Sequence, residues 1–164
     1  MTWVLDEFGR LLLWLIAVPV ALVVAWILCY LAFGRIALWC FRLAHVTRGR
    51  DLLIVYSNSP HWQAYVEREW LPRWGDRAVV LNWSERERWS FWAPSVLLFR
   101  AFTGYRAFNP IAMVVPRWWG GPTVIPFWQA FRDLKHGKSH ALRQAESQLE
   151  NALQLRVRGK APAA

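Results

Sequence analysis

Ser57, Asn58, Ser59, Pro60, His61 and Trp62 put two hydroxyls, a carboxamide and an imidazole within six consecutive residues. Ser57 and His61 are the types needed for a nucleophile and its base, and an imidazole can move a proton near neutral pH. No acid stands beside them to complete a triad, and the chain has neither a GxSxG elbow nor a phosphate-binding loop. Asp76, Glu85 and Glu87 are the carboxylates that folding could bring closer. A second use needs no reaction. Pro60 suits the first position of a helix and Ser59 suits its cap, so free amides there would favour an anion near Asn58, Ser59 and His61.

The segment RDLKHGKSHALR collects Arg132, Lys135, His136, Lys138, His140 and Arg143 against Asp133. Such a cluster is drawn to phosphates of anionic lipid headgroups over about one Debye length. His136 and His140 are four apart, but Gly137 intervenes and no carboxylate follows at zinc-protease spacing, so no metal and no cofactor is expected. Trp83, Trp89 and Trp92 surround SERER, and Trp118 and Trp119 fall together in a turn. Paired tryptophans in a turn suit a membrane interface or a protein partner. Aromatic and basic residues together can also stack bases, but no RNA-binding motif accompanies them and nucleic acid is not required.

These groups follow a run from Leu11 to Phe33 that contains no charge. As a helix it spans roughly 35 Å, against a hydrocarbon core of about 30 Å. Asp6 and Glu7 oppose Arg10 before it, and Gly34, Arg35 and further apolar residues follow, which predicts an anchor rather than a cleaved signal. Arg35, Arg42, Arg48 and Arg50 follow the run, so the positive-inside bias predicts an outer N-terminus and a cytoplasmic C-terminal part in a bacterial-type inner membrane. Arg42 would snorkel to the headgroups, with Trp39 and Phe41 at the interface, in a segment that prolongs the membrane helix or lies parallel to the surface. The net charge of +9 is explained by an anionic leaflet. Cys29 and Cys40, eleven residues apart on one helix, are too distant for a disulfide.

The expected order is a flank at 1–10, a transmembrane helix at 11–34, a basic juxtamembrane segment at 35–50, one domain at 51–158 and a disordered tail at 159–164. Within the domain, DLLIVYS reads as a central strand covered on both faces. A helix from Pro60 carries Trp62, Tyr65, Val66 and Trp70 on one face, RAVVLNW is a second strand, and Ser84 with Glu87 has capping-box spacing. A helix is expected from about Ser95 to Phe102. NPIAMVVP and TVIPFW form a hairpin around Trp118 to Pro122, with Pro126 at an edge or bulge. Ser139 opens a last helix with Leu142, Ala145, Leu149, Ala152 and Leu153 on one face.

That order, βαβ, a helical middle, then ββα, resembles the thioredoxin-like fold, an α/β domain with a four-stranded mixed sheet. The resemblance implies a CxxC pair where the first strand meets the first helix, but Asn58, Ser59, Pro60 and His61 occupy that place. Asn109 and Pro110 stand where the family's cis-proline would be, which adds Pro110 to the ligand-site candidates. Without thiols, thiol–disulfide exchange is lost. The expectation is therefore a redox-inactive, noncatalytic domain on a membrane anchor, binding another membrane protein or organising a membrane complex. The alternative is a membrane-associated enzyme acting on a lipid-linked or phosphorylated substrate through His61 and Ser57.

Overall fold

The computed structural model describes residues 2–104 and 108–158, and the expected tail at 159–164 lies outside the described residues. The chain divides into two compact units, one ending at Ile36 and one beginning at Ala37. Helix α1, Thr2–Ala44, supplies the described residues of the first and continues through Pro19. Side chains from Leu13 to Ala32 are all exposed. By length and composition this helix can cross a membrane, and none of its apolar window is buried by protein.

The end of α1 has a different role. Ala37, Leu38 and Phe41 are buried, and Leu38, Phe41 and Val46 join the core of the second unit. The segment 35–50, expected to lie at the headgroups, is thus partly core. Apolar positions at three- and four-residue spacing continue past Gly34, and they face protein here.

The second unit is built on strands β1 (Leu52–Tyr56), β2 (Ala78–Asn82), β3 (Ile111–Val114) and β4 (Thr123–Pro126), in the order β2-β1-β3-β4. β1 and β2 are parallel, with Ile54 opposite Val80. β3 runs antiparallel to β1, with Ala112 opposite Ile54, and β4 runs antiparallel to β3. Every residue of β1 is buried, as its unbroken apolar run requires of a central strand. Alternation then sorts the core. Leu52, Ile54, Ala112, Val114 and Ile125 face Trp70, Phe127, Phe131 and Leu149, while Leu53, Val55, Ile111 and Met113 face Leu38, Phe41, Leu98 and Phe99. Pro126 ends the edge strand β4, where a missing N–H costs no ladder bond.

Between β1 and β2 the chain is helical from Gln63 to Trp74, as α2 (Gln63–Tyr65), a π-helical segment (Val66–Trp70) and α3 (Leu71–Trp74). Helix α4, Pro94–Thr103, follows β2. The Asn109–Pro110 bond that precedes β3 is cis. After β4, the sequence places Phe127 and Trp128 in the strand and opens the next helix at Ser139, but helix α5 spans Trp128–Lys135. Phe127 N–H still bonds Pro110 O at 2.8 Å, one step beyond the Ile111–Pro126 pair, while Phe127 O turns into the helix and accepts from Phe131 N–H at 2.9 Å. Both rings are buried one turn apart, which favours helix over strand. Helix α6, His140–Arg158, buries Leu142, Leu149 and Leu153.

Candidate functional site

The carboxyl ends of the parallel strands β1 and β2 lie side by side, and their polar residues bond mainly to each other. Asn58 N–H donates to Ser84 Oγ at 3.0 Å, and Asn82 Nδ2 donates to Asn58 Oδ1 at 2.6 Å. Asn82 Oδ1 accepts from Ser84 N–H at 3.0 Å, so Asn82 caps the 3-10 turn at Trp83–Arg88 in place of Ser84. Trp62 Nε1 donates to Ser57 Oγ at 3.2 Å. The helix begins at Gln63 rather than Pro60, with no side-chain cap. Ser59 Oγ instead accepts from His61 N–H at 3.4 Å, and Ser59 O accepts from the N–H groups of Trp62 and Gln63. A turn at Pro60–Trp62 therefore replaces the expected row of free helix amides.

His61 is exposed, with its ring centroid 6.3 Å from that of Trp62. Glu67 serves a tyrosine instead: Tyr56 Oη donates to Glu67 Oε1 at 3.3 Å. Burial raises the Tyr56 pKa above 10.0, and the charges of Glu67 and Glu85 and the Glu67 hydrogen bond add to it. Asp76 precedes β2 and stands at the opposite end of the sheet. Pro110 is at the same sheet end as Ser57, because Ile111 pairs with Val55. It is buried, and Asn109 beside it is 8% exposed with no partner for Oδ1 among the described residues. A cavity of about 230 Å³ opens among Phe102, Phe108, Ile111, Val124 and Trp128. Its lining is apolar apart from Thr103 and Gln129.

The predicted surface residues separate into two places. Arg132 and Lys135 are exposed on α5, and His136 and Lys138 are exposed just after it. The Arg132 guanidinium lies 4.8 Å from the Trp128 ring centroid. Among the described residues no His, Cys, Asp and Glu group could hold a metal ion. Trp118 and Trp119 occupy the β3–β4 connection, 59% and 87% exposed. α5 packs on the Trp70 face of the sheet and the end of α1 on the Phe99 face, so the two groups attach to different layers.

Two polar anchors escape a reading by motif. Arg42 does not snorkel: it is 4% exposed, donating from Nε to Pro116 O at 2.8 Å and from Nη2 to Gly120 O at 2.7 Å. Its signal is position, on the turn of helix that buries Leu38 and Phe41. Glu146 Oε1 accepts from Tyr65 Oη at 2.9 Å and Trp70 Nε1 at 2.8 Å, joining α6 to the helical connection of β1 and β2. Burial, the hydrogen bond and the charge of Glu146 push the Tyr65 pKa up to about 12. Its signal is an acid four residues after Leu142 and three before Leu149, on the apolar stripe. Comparison with protein-family models, with curated proteins and with solved structures returned no match to this chain.

Proposed function

We propose that this chain is a single-pass membrane protein whose second unit is a redox-inactive thioredoxin-like domain that binds another membrane protein or organises a membrane complex. The observation that carries the reading is the bonding at the ends of β1 and β2. Ser57, Asn58, Ser59 and Ser84 serve as hydrogen-bond partners between and within two loops, where a thiol-exchange protein needs its cysteines. The order β2-β1-β3-β4, with Pro110 entering β3, supports the thioredoxin-like assignment. The exposed apolar surface of α1 supports insertion, because it costs free energy in water and none in lipid. The arginines at 35, 42, 48 and 50 favour a cytoplasmic second unit in a bacterial-type inner membrane, although Arg42 is held by protein.

Copurification of the full chain from mild detergent tests the binding role, and a monodisperse protein without a partner argues against it. His61→Ala separates binding from catalysis. An adaptor keeps its partner within about twofold when this exposed side chain is removed, whereas an enzyme dependent on the imidazole loses about a hundredfold or more in turnover. A compartment-sensitive reporter fused after Ala164 tests the direction, and a periplasmic signal overturns it.

A further inference from the structure

The sheet end opposite the Ser57–His61 loop carries a different chemistry. There β1 begins, β3 ends, and the β3–β4 connection brings Arg117, Trp118 and Trp119 to the surface. Arg42 spans the foot of that connection by donating to Pro116 O and Gly120 O, and its guanidinium also lies 5.3 Å from the ring centroid of Trp39. Trp39 is 45% exposed. One buried cation thus ties the two tryptophans of the connection to a third on α1. Val115 N–H donates to Asp51 O at 2.8 Å, which places Arg50 beside the same edge, and Arg48 closes the 3-10 turn just before it. Arg48, Arg50 and Arg117 are exposed, and the Arg117 guanidinium lies 5.3 Å from the Trp118 ring centroid. The carboxylate of Asp51 is buried and paired with Arg77, and Asp76 just before β2 is exposed.

We infer that Trp39, Trp118 and Trp119, with Arg48, Arg50 and Arg117, form a lipid-binding edge that seats the second unit in the glycerol and phosphate layer of a bilayer. Indole rings settle at that depth because the ring is apolar and its N–H needs a polar partner, and arginine can pair with lipid phosphate. Chain length favours lipid over a protein occupant. Trp39 follows Phe33, the end of the uncharged run, by six residues, which reach about 20 Å even when fully extended. The proposal rests on the membrane-spanning reading of that run.

The test uses the full chain with Cys29→Ser and Cys40→Ser, reconstituted in vesicles of phosphatidylethanolamine and phosphatidylglycerol. Single thiols at Trp119→Cys, Leu22→Cys and Lys138→Cys each carry an environment-sensitive fluorophore. Brominated acyl chains should quench the fluorophore at 119 by about twofold and the bilayer should shield it from aqueous iodide, as expected at interfacial depth. The fluorophore at 138, on the other layer of the sheet, should remain open to iodide. Fluorescence at 119 that is open to iodide and unaffected by bromine overturns the lipid edge. So does fluorescence shielded from iodide yet insensitive to bromine, because a protein partner or a second copy then covers the tryptophans. Position 22 reports the spanning reading separately. An unquenched label there overturns that reading together with the proposal, whereas quenching at 22 without quenching at 119 overturns the lipid edge alone.

Discussion

Arg42 Nη2 donates to Gly120 O at 2.7 Å across 78 residues of sequence, and Nε of the same guanidinium donates to Pro116 O at 2.8 Å. The fork satisfies two carbonyls of a connection without regular ladder bonds, and the arginine is almost wholly buried. Arg42→Ala leaves those acceptors unmet and is expected to cost about 2–4 kcal/mol in denaturant unfolding of the full chain in mild detergent. Arg42→Lys keeps the charge but cannot reproduce the planar fork, and should lie between Ala and the parent. Equal midpoints for Arg42→Ala and the parent would sink this account.

Tyr65 provides a pH signature. Its pKa of about 12 lies above the usual 10.0, first through burial and then through the hydrogen bond and charge of Glu146. The folded state therefore favours the neutral phenol. This contribution to stability is complete below pH 10 and is lost as pH rises through about 12. Glu146→Gln removes the charge, so phenolate absorbance should develop at lower pH in that variant. Superimposed titrations of parent and variant would contradict the assignment.

Asp51 connects the starts of the two parallel strands. Its carboxylate accepts from Arg77 Nε at 3.2 Å and from Nη2 at 2.8 Å. The pair is partly buried, so Asp51→Asn should cost about 1–3 kcal/mol, less than a fully buried pair would lose. Denaturant unfolding measures it, and a loss confined to tenths of a kilocalorie would mean that solvent already screens the pair.

Trp70 is 1% exposed, with its ring centroid 4.4 Å from that of Phe127 and its Nε1–H bonded to Glu146. Trp70→Ala should cost about 3–5 kcal/mol through the cavity it leaves. By contrast, Trp119→Ala should shift stability by no more than about 0.5 kcal/mol, because the protein covers little of that ring. Comparable losses from the two substitutions would show that the Trp119 ring is packed.

Secondary structure was legible wherever one local pattern had one reading. The buried run of β1, the two apolar runs on either side of the Trp118–Pro122 turn and the Leu142–Leu153 stripe translate directly into elements. The pattern misled where an aromatic residue suits two states. Phe127 fits the end of a strand by composition, but its burial alongside Phe131 requires the helical spacing of α5. The Ser57–His61 segment was misleading for another reason: Ser-Pro suits a helix start, while hydrogen bonds to Ser84 and Asn82, more than 20 residues away, hold the loop and α2 starts at Gln63.

The sequence by itself determined one long apolar helix, four strands set among helices and a domain without a CxxC pair, because periodicity and residue type are local properties; the mixed sheet with helices on both faces was implied by the resemblance alone. Only the tertiary structure decided what Arg42, Glu146 and Asn58 do. A polar side chain near apolar residues can reach water or a buried partner, and those partners are supplied by segments distant in sequence. Arg42, expected at the headgroups, instead clasps the tryptophan-bearing connection.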